Sequence, residues 1–106
     1  MYNRDMLSRS DAQIARRVKR RLLAEIPLKR LVVYGSRARG NPAPYSDLDL
    51  YIELNSAVSR DLRRKIREIA WEISLDSGVV ISTLVAGERL AGQPILKAIE
   101  REGIAV

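Results

Sequence analysis

Apolar positions along the chain change period from one stretch to the next, and each change marks an element. Between Ser10 or Asp11 and about Glu25, Ile14, Val18 and Leu22 recur every four residues, which predicts one face of a helix. Ser10 or Asp11 is placed to cap it, and Pro27 ends it. Arg16, Arg17, Lys19, Arg20 and Arg21 take the opposite side. Arg30 to Tyr34 is a β-branched and apolar run that predicts a first strand. At Gly35 the backbone is free to turn sharply, and the helical turn that follows is cut short by Gly40 and Pro42. Asn41-Pro42-Ala43-Pro44-Tyr45 reads as loop. Strict alternation then begins, with Leu48, Leu50 and Ile52 facing a core and Asp47, Asp49, Tyr51 and Glu53 facing away.

After the turn Asn55-Ser56-Ala57, a helix is expected from Ser59 to about Leu75, capped by Ser59 and with Asp61 near its positive end. Leu62, Ile66, Ile69 and Ile73 form its buried stripe, and Trp71 is expected to pack beside them in the core. Gly78 suits the residue past its end. Val79–Val85 predicts a third strand, and Gln93–Glu102 a last helix with Pro94 in its first turn and Gly103 beyond it. Ile104-Ala105-Val106 is placed to add a short edge strand. These elements predict an α/β class: a small mixed sheet of about three to four strands flanked by helices.

Composition narrows the chemistry. A chain of 106 residues is expected to form one domain, with residues 1–10 loosely held. Phe is absent, so the core must be aliphatic. Without cysteine there is no disulfide framework or thiolate metal site, and without histidine no imidazole acid–base chemistry. Carboxylates, hydroxyls, Arg and Lys are left to act. No apolar run approaches the ~20 residues of a membrane span, and the charged N-terminus lacks a signal-peptide core, so a cytoplasmic protein is expected. The net charge of +6 lies wholly in the first 30 residues, which hold nine Lys/Arg against three Asp/Glu. A solvated helix surface is the simpler reading of that basic face. A contact for RNA or another acidic partner is the sharper one, weakened by the lack of interleaved aromatic residues.

The candidate site lies between the first two strands. Gly35 and Ser36 open a helical turn where free N–H groups form an anion site. Asp47 and Asp49, about 6–7 Å apart along a strand, project from one face. Hard carboxylate oxygens so placed suit Mg²⁺. Arg39 is available to a phosphate or to brace the loop, whereas Arg37, Glu53 and a half-buried Tyr51 read as structural or solvated.

Gly35-Ser36-Arg37-Ala38-Arg39-Gly40 followed by Ser46-Asp47-Leu48-Asp49-Leu50 resembles the signature of the minimal nucleotidyltransferases (MNT) of the DNA polymerase beta-like superfamily. The close resemblance covers roughly residues 31–53. It implies the nucleotidyltransferase fold, a nucleoside triphosphate (ATP above all) held at Gly35 and Ser36, and Mg²⁺ held by Asp47 and Asp49. The implied reaction transfers AMP to a hydroxyl of a protein or other acceptor. Proteins of this kind and size resemble antitoxins paired with a HEPN-type toxin, which implies either adenylylation of the toxin or its neutralisation by association. The family pattern also places a third acid inside the third strand. Here that strand reads Val79-Val80-Ile81-Ser82-Thr83-Leu84-Val85, so Ser82 stands at the acid's position, and no acid occurs between Asp76 and Glu88.

Overall fold

The computed structural model describes residues 7–41, 45–87, 90 and 92–106. The expected loop residues Pro42–Pro44, and Glu88, lie outside the described residues. The order of elements is α1 (Arg9–Glu25), β1 (Leu28–Tyr34), α2 (Gly35–Ala38), β2 (Leu48–Leu54), α3 (Arg60–Ser77), β3 (Ile81–Val85), α4 (Pro94–Glu102) and β4 (Ile104–Ala105). The strands form one mixed sheet in the order β3-β2-β1-β4. β1 runs antiparallel to β2 and β4, while β2 and β3 are parallel and α3 makes the crossover that parallel pairing needs. The expected α/β architecture is present.

Each face of the sheet has its own cover. Leu31, Val33, Leu48, Leu50 and Ile52 pack against the apolar stripes of α1 and α3. Val32 and Tyr51 lie on the other face beneath Ile99 of α4. β1 is therefore buried on both sides, which explains why Leu31-Val32-Val33 runs apolar without alternating. The strand begins at Leu28, before the expected Arg30, because a register shift between the two lets Leu28 and Leu31 both turn inward.

α1 begins earlier than its periodicity suggested. Ser8, not Ser10 or Asp11, is the cap, accepting a hydrogen bond from the Asp11 N–H at 3.1 Å. The buried stripe is Asp11, Ala15, Val18 and Leu22, with Ile14 only partly covered. Asp11 is 3% exposed, and its carboxylate meets the Arg37 guanidinium at 2.9 Å. Arg37, expected in solvent, is thus drawn into the interior by a charge that needs a partner. Much of the basic face is also spoken for. Arg17 and Arg21 pair with Asp76 and Glu72 of α3, and the Lys19 ammonium donates to the Val106 carbonyl. Arg16 and Arg20 remain exposed.

Ser59 caps α3 through the Leu62 N–H, and Gly78 ends it in the left-handed conformation. The helix runs on to Ser77, which delays β3 to Ile81. Trp71 corrects another expectation: it is 65% exposed. At about 100° per residue, position 71 lies about 200° from Ile69, which turns the indole out of the core. Among the described residues no helix is long and apolar enough to cross a membrane.

Breaking the Asp11–Arg37 pair should be costly. Asp11→Ala is expected to lose about 3 kcal/mol in urea unfolding, because it leaves the half-buried Arg37 guanidinium without its charge partner. Asp11→Asn, close in volume and still able to accept a hydrogen bond from Arg37, should lose less.

Candidate functional site

The site is assembled where β1 ends. In the antiparallel register Tyr34 stands opposite Asp49, so the chain leaves the sheet beside that carboxylate. Gly35 follows with φ +78°, and a Cβ there would overlap Asp49 Oδ2. Glycine is required twice over, once by the backbone and once by the space. α2 is a single turn entered from extended Tyr34, and among the described residues no side chain caps its first N–H groups. Buried Ala38 anchors it, and the Arg39 and Asn41 N–H groups close its far end on the Gly35 and Ser36 carbonyls. Gly35 and Ser36 are half-buried, at the end whose N–H groups have no helical acceptor.

Asp49 is half-buried within β2, and exposed Asp47 stands just before the strand. Burial, and then the negative charge of Asp47, push the Asp49 carboxyl above the usual carboxylate range, against the opposing pull of Arg39 and Arg37. The two acids are therefore neighbours that repel. Parallel pairing sets Ser82 of β3 directly beside Asp49, so the third strand offers a hydroxyl where a carboxylate would complete a triad. Among the described residues no three Asp, Glu, His or Cys side chains gather as a metal cluster. Asp76 is tied to Arg17 between α1 and α3 and offers no substitute. Two carboxylates and a hydroxyl are still a hard oxygen set. They fit Mg²⁺, which commonly takes one or two protein carboxylates and completes its shell with water and substrate phosphate.

Arginines hold the site in shape. Arg37 donates from Nε and Nη2 to the Ser46 carbonyl at 3.0 and 2.8 Å, while its Nη1 holds Asp11. It fastens α1, α2 and the residue preceding Asp47 together. Pattern reading missed this clamp, although an acid at the i−4 position to Ala15 in the apolar stripe of α1 was the available signal. Arg39 Nη1 meets Glu102 of α4 at 2.9 Å, bracing α2 against α4. Glu102 was not anticipated at all, being far away in the chain.

Two neighbours of Asp49 differ from expectation. Glu53 is not free in solvent: Arg30 bonds it at 2.7 Å and holds its carboxyl below the usual range. Tyr51 is buried rather than half-buried, with the Arg30 guanidinium 5.8 Å from its ring centre.

Residues 12–104 match the family model of the nucleotidyltransferase domain. No curated protein sequence matches the chain. Solved structures share its fold. A chain of a toxin–antitoxin complex with AMP-PNP superposes with a TM-score of 0.67 at 16% identity, over 86% of this chain and 70% of that one. A complex of tri-AMPylated Shewanella oneidensis HEPN toxin with MNT antitoxin gives 0.62 at 14% identity, over 90% and 70%. The toxin–antitoxin MntA–HepT gives 0.58 at 15%, over 89% and 69%. At these identities the likeness is one of fold.

Two substitutions test the geometry. Gly35→Ala should cost about 2 kcal/mol in denaturant unfolding, combining left-handed strain with the overlap on Asp49. Adding Asp49→Ala should relieve only the overlap. Asp49→Asn should instead stabilise the fold by about 0.5 kcal/mol at neutral pH, screening included, or roughly 2–4 °C in Tm. The sign follows from the raised carboxyl: its ionised form is disfavoured in the fold, so the gain should fade as pH falls and the native acid is neutralised.

Proposed function

The chain belongs to the nucleotidyltransferase domain family, and we propose that it binds ATP with Mg²⁺ and transfers AMP to a hydroxyl of a protein partner of the HEPN toxin kind. One observation carries this reading. A tight turn whose first N–H groups have no side-chain cap among the described residues is pressed against a half-buried carboxylate whose neighbour is a second carboxylate. An anion site beside a repelling acid pair makes sense when a polyphosphate and a cation share the space.

In this reading the Gly35 and Ser36 N–H groups and the Ser36 hydroxyl hold the β- and γ-phosphates. Asp47 and Asp49 would hold Mg²⁺, which supplies charge neutralisation for the triphosphate and the departing pyrophosphate. Arg39, steadied by Glu102, adds positive charge nearby, and Arg37 keeps Asp47 in position through the Ser46 carbonyl. The acceptor oxygen bonds to the α-phosphorus as the bond to the pyrophosphate oxygen breaks. Its proton passes to Asp49 or to water, since Ser82 is too weak a base near neutral pH. The AMP-PNP and AMPylated-toxin complexes with similar folds support ATP as donor and a protein as acceptor. Cytoplasm is the compartment this reading calls for.

Ser82 favours a second reading. With a hydroxyl in place of the third carboxylate, the chain binds nucleotide yet neutralises its partner by association alone.

The readings separate in one assay. The protein is incubated with α-labelled ATP, Mg²⁺ and the product of its neighbouring gene. The transfer reading expects label on the partner, loss of at least a hundredfold in folded Asp49→Asn, and a gain of about tenfold or more in Ser82→Asp. Co-purification without label establishes the second reading and ends the first.

A further inference from the structure

β3 is an edge strand, and among the described residues no other strand pairs with its outer side. Two bonds set its phase: the Leu48 N–H donates to the Val80 carbonyl, and the Ala86 N–H donates to the Ile52 carbonyl. Even-numbered residues of β3 thus bond to β2, while Ile81, Thr83 and Val85 turn their peptide groups outward. The Ser74 hydroxyl accepts the Ile81 N–H, which leaves Thr83 and Val85 with outward N–H groups. Edge strands are usually blunted by Lys, Pro or a covering loop. The run Ile81-Ser82-Thr83-Leu84-Val85 carries no charge and no proline.

This edge forms the floor of a groove walled by α3. Its larger part, ≈910 Å³, is lined by Arg63 and Arg67 beside Thr83 and Val85. Arg67 and Thr83 carry it on into a smaller part lined by Trp71 and Val80. Arg63 and Arg67 are exposed and one helical turn apart, and neither is in an ion pair among the described residues, whereas Arg64 between them pairs with Asp61 and Glu68. Trp71 and Val80 are 65% and 59% exposed.

We propose that the groove between β3 and α3 binds an extended, acidic segment of a partner polypeptide, which adds to the sheet as a strand beside β3. Three observations converge on that occupant. The outward peptide groups of Thr83 and Val85 match a polypeptide backbone. Arg63 and Arg67 match carboxylates on alternate residues of the added strand. Trp71 and Val80 provide an apolar seat at one end. A second copy of this chain fits poorly. Antiparallel pairing about Thr83 would bring two Arg67 side chains together across the dyad, between molecules that each carry a net charge of +6. The groove lies along a different border of the sheet from the Gly35 turn, and the proposal holds whether or not nucleotide is transferred.

Trp71 is the sole tryptophan, so the full chain carries its own reporter. The probe is an acetylated, amidated octapeptide alternating Glu with Val. Titration should quench or shift the Trp71 emission, with affinity falling as salt rises. Arg63→Glu with Arg67→Glu, both at exposed positions, should weaken binding about tenfold or more. Hydrogen exchange should slow at the Thr83 and Val85 amides and stay unchanged at Ser82 and Leu84. An octapeptide N-methylated at every residue should not bind. The proposal is overturned by the absence of binding at millimolar peptide, or by equal binding of the N-methylated peptide. Binding without protection at Thr83 and Val85 also sinks it. So does displacement of the peptide by a uridine decamer that binds the same arginines more tightly, or dimerisation of the free chain that Arg67→Glu alters.

Discussion

The pairing of Tyr34 with Asp49 across β1 and β2 is the constraint from which the site follows. Once that register is set, the chain must leave β1 directly beside a carboxylate. Only a residue without a side chain can stand there, and only glycine accepts the backbone angle without strain. The turn and the acid are therefore one structural unit, although 14 positions separate Gly35 from Asp49 in the chain. A slip of one residue in β2 would turn both acids into the core and bring Leu48 and Leu50 out. Packing of those leucines against α1 and α3 is what forbids the slip.

Charge is arranged around this unit in a way that leaves it under tension. Asp49 is partly removed from water, and Asp47 opposes its ionisation. Arg37 and Arg39 approach it, yet each is committed elsewhere, Arg37 to Asp11 and the Ser46 carbonyl, Arg39 to Glu102. These commitments orient the arginines without fully neutralising the acids. The local fold thus retains a deficit of positive charge, which the cation of the proposed function would offset. Ser82 lowers the negative charge the site would otherwise carry, and with it the pull on a metal ion.

The sheet has two differently used borders. Toward β4 the border is a strand of two residues, beside which the Lys19 ammonium meets the Val106 carbonyl. Toward β3 it is uncharged and lies beside two arginines that no described acid pairs with. The basic face of α1 shows the reverse, since much of its charge is matched by acids of α3. Net charge alone would have drawn attention to α1. The structure moves it to α3.

Local pattern determined a large part of this protein. The period of four in α1 and α3, the alternation in β2 and the glycine after β1 identified the elements, because each depends on neighbours within a few residues. The Gly35-Ser36 turn and the Asp47–Asp49 pair were legible for the same reason, whereas the alignment of Ser82 with a missing acid came from the resemblance to the minimal nucleotidyltransferases. What the chain alone did not decide depends on contacts between distant segments. Arg37 looked like a solvated residue until Asp11 was found buried beside it, and Glu102 had no visible link to Arg39. Trp71 looked like core by residue type, yet its angle on α3 set it outside. Which strands border the sheet is likewise a property of strand order, since it is fixed by the crossover of α3 and the return of β4. Short-range periodicity is written in the sequence, whereas pairing across the fold is decided only when charges and edges meet.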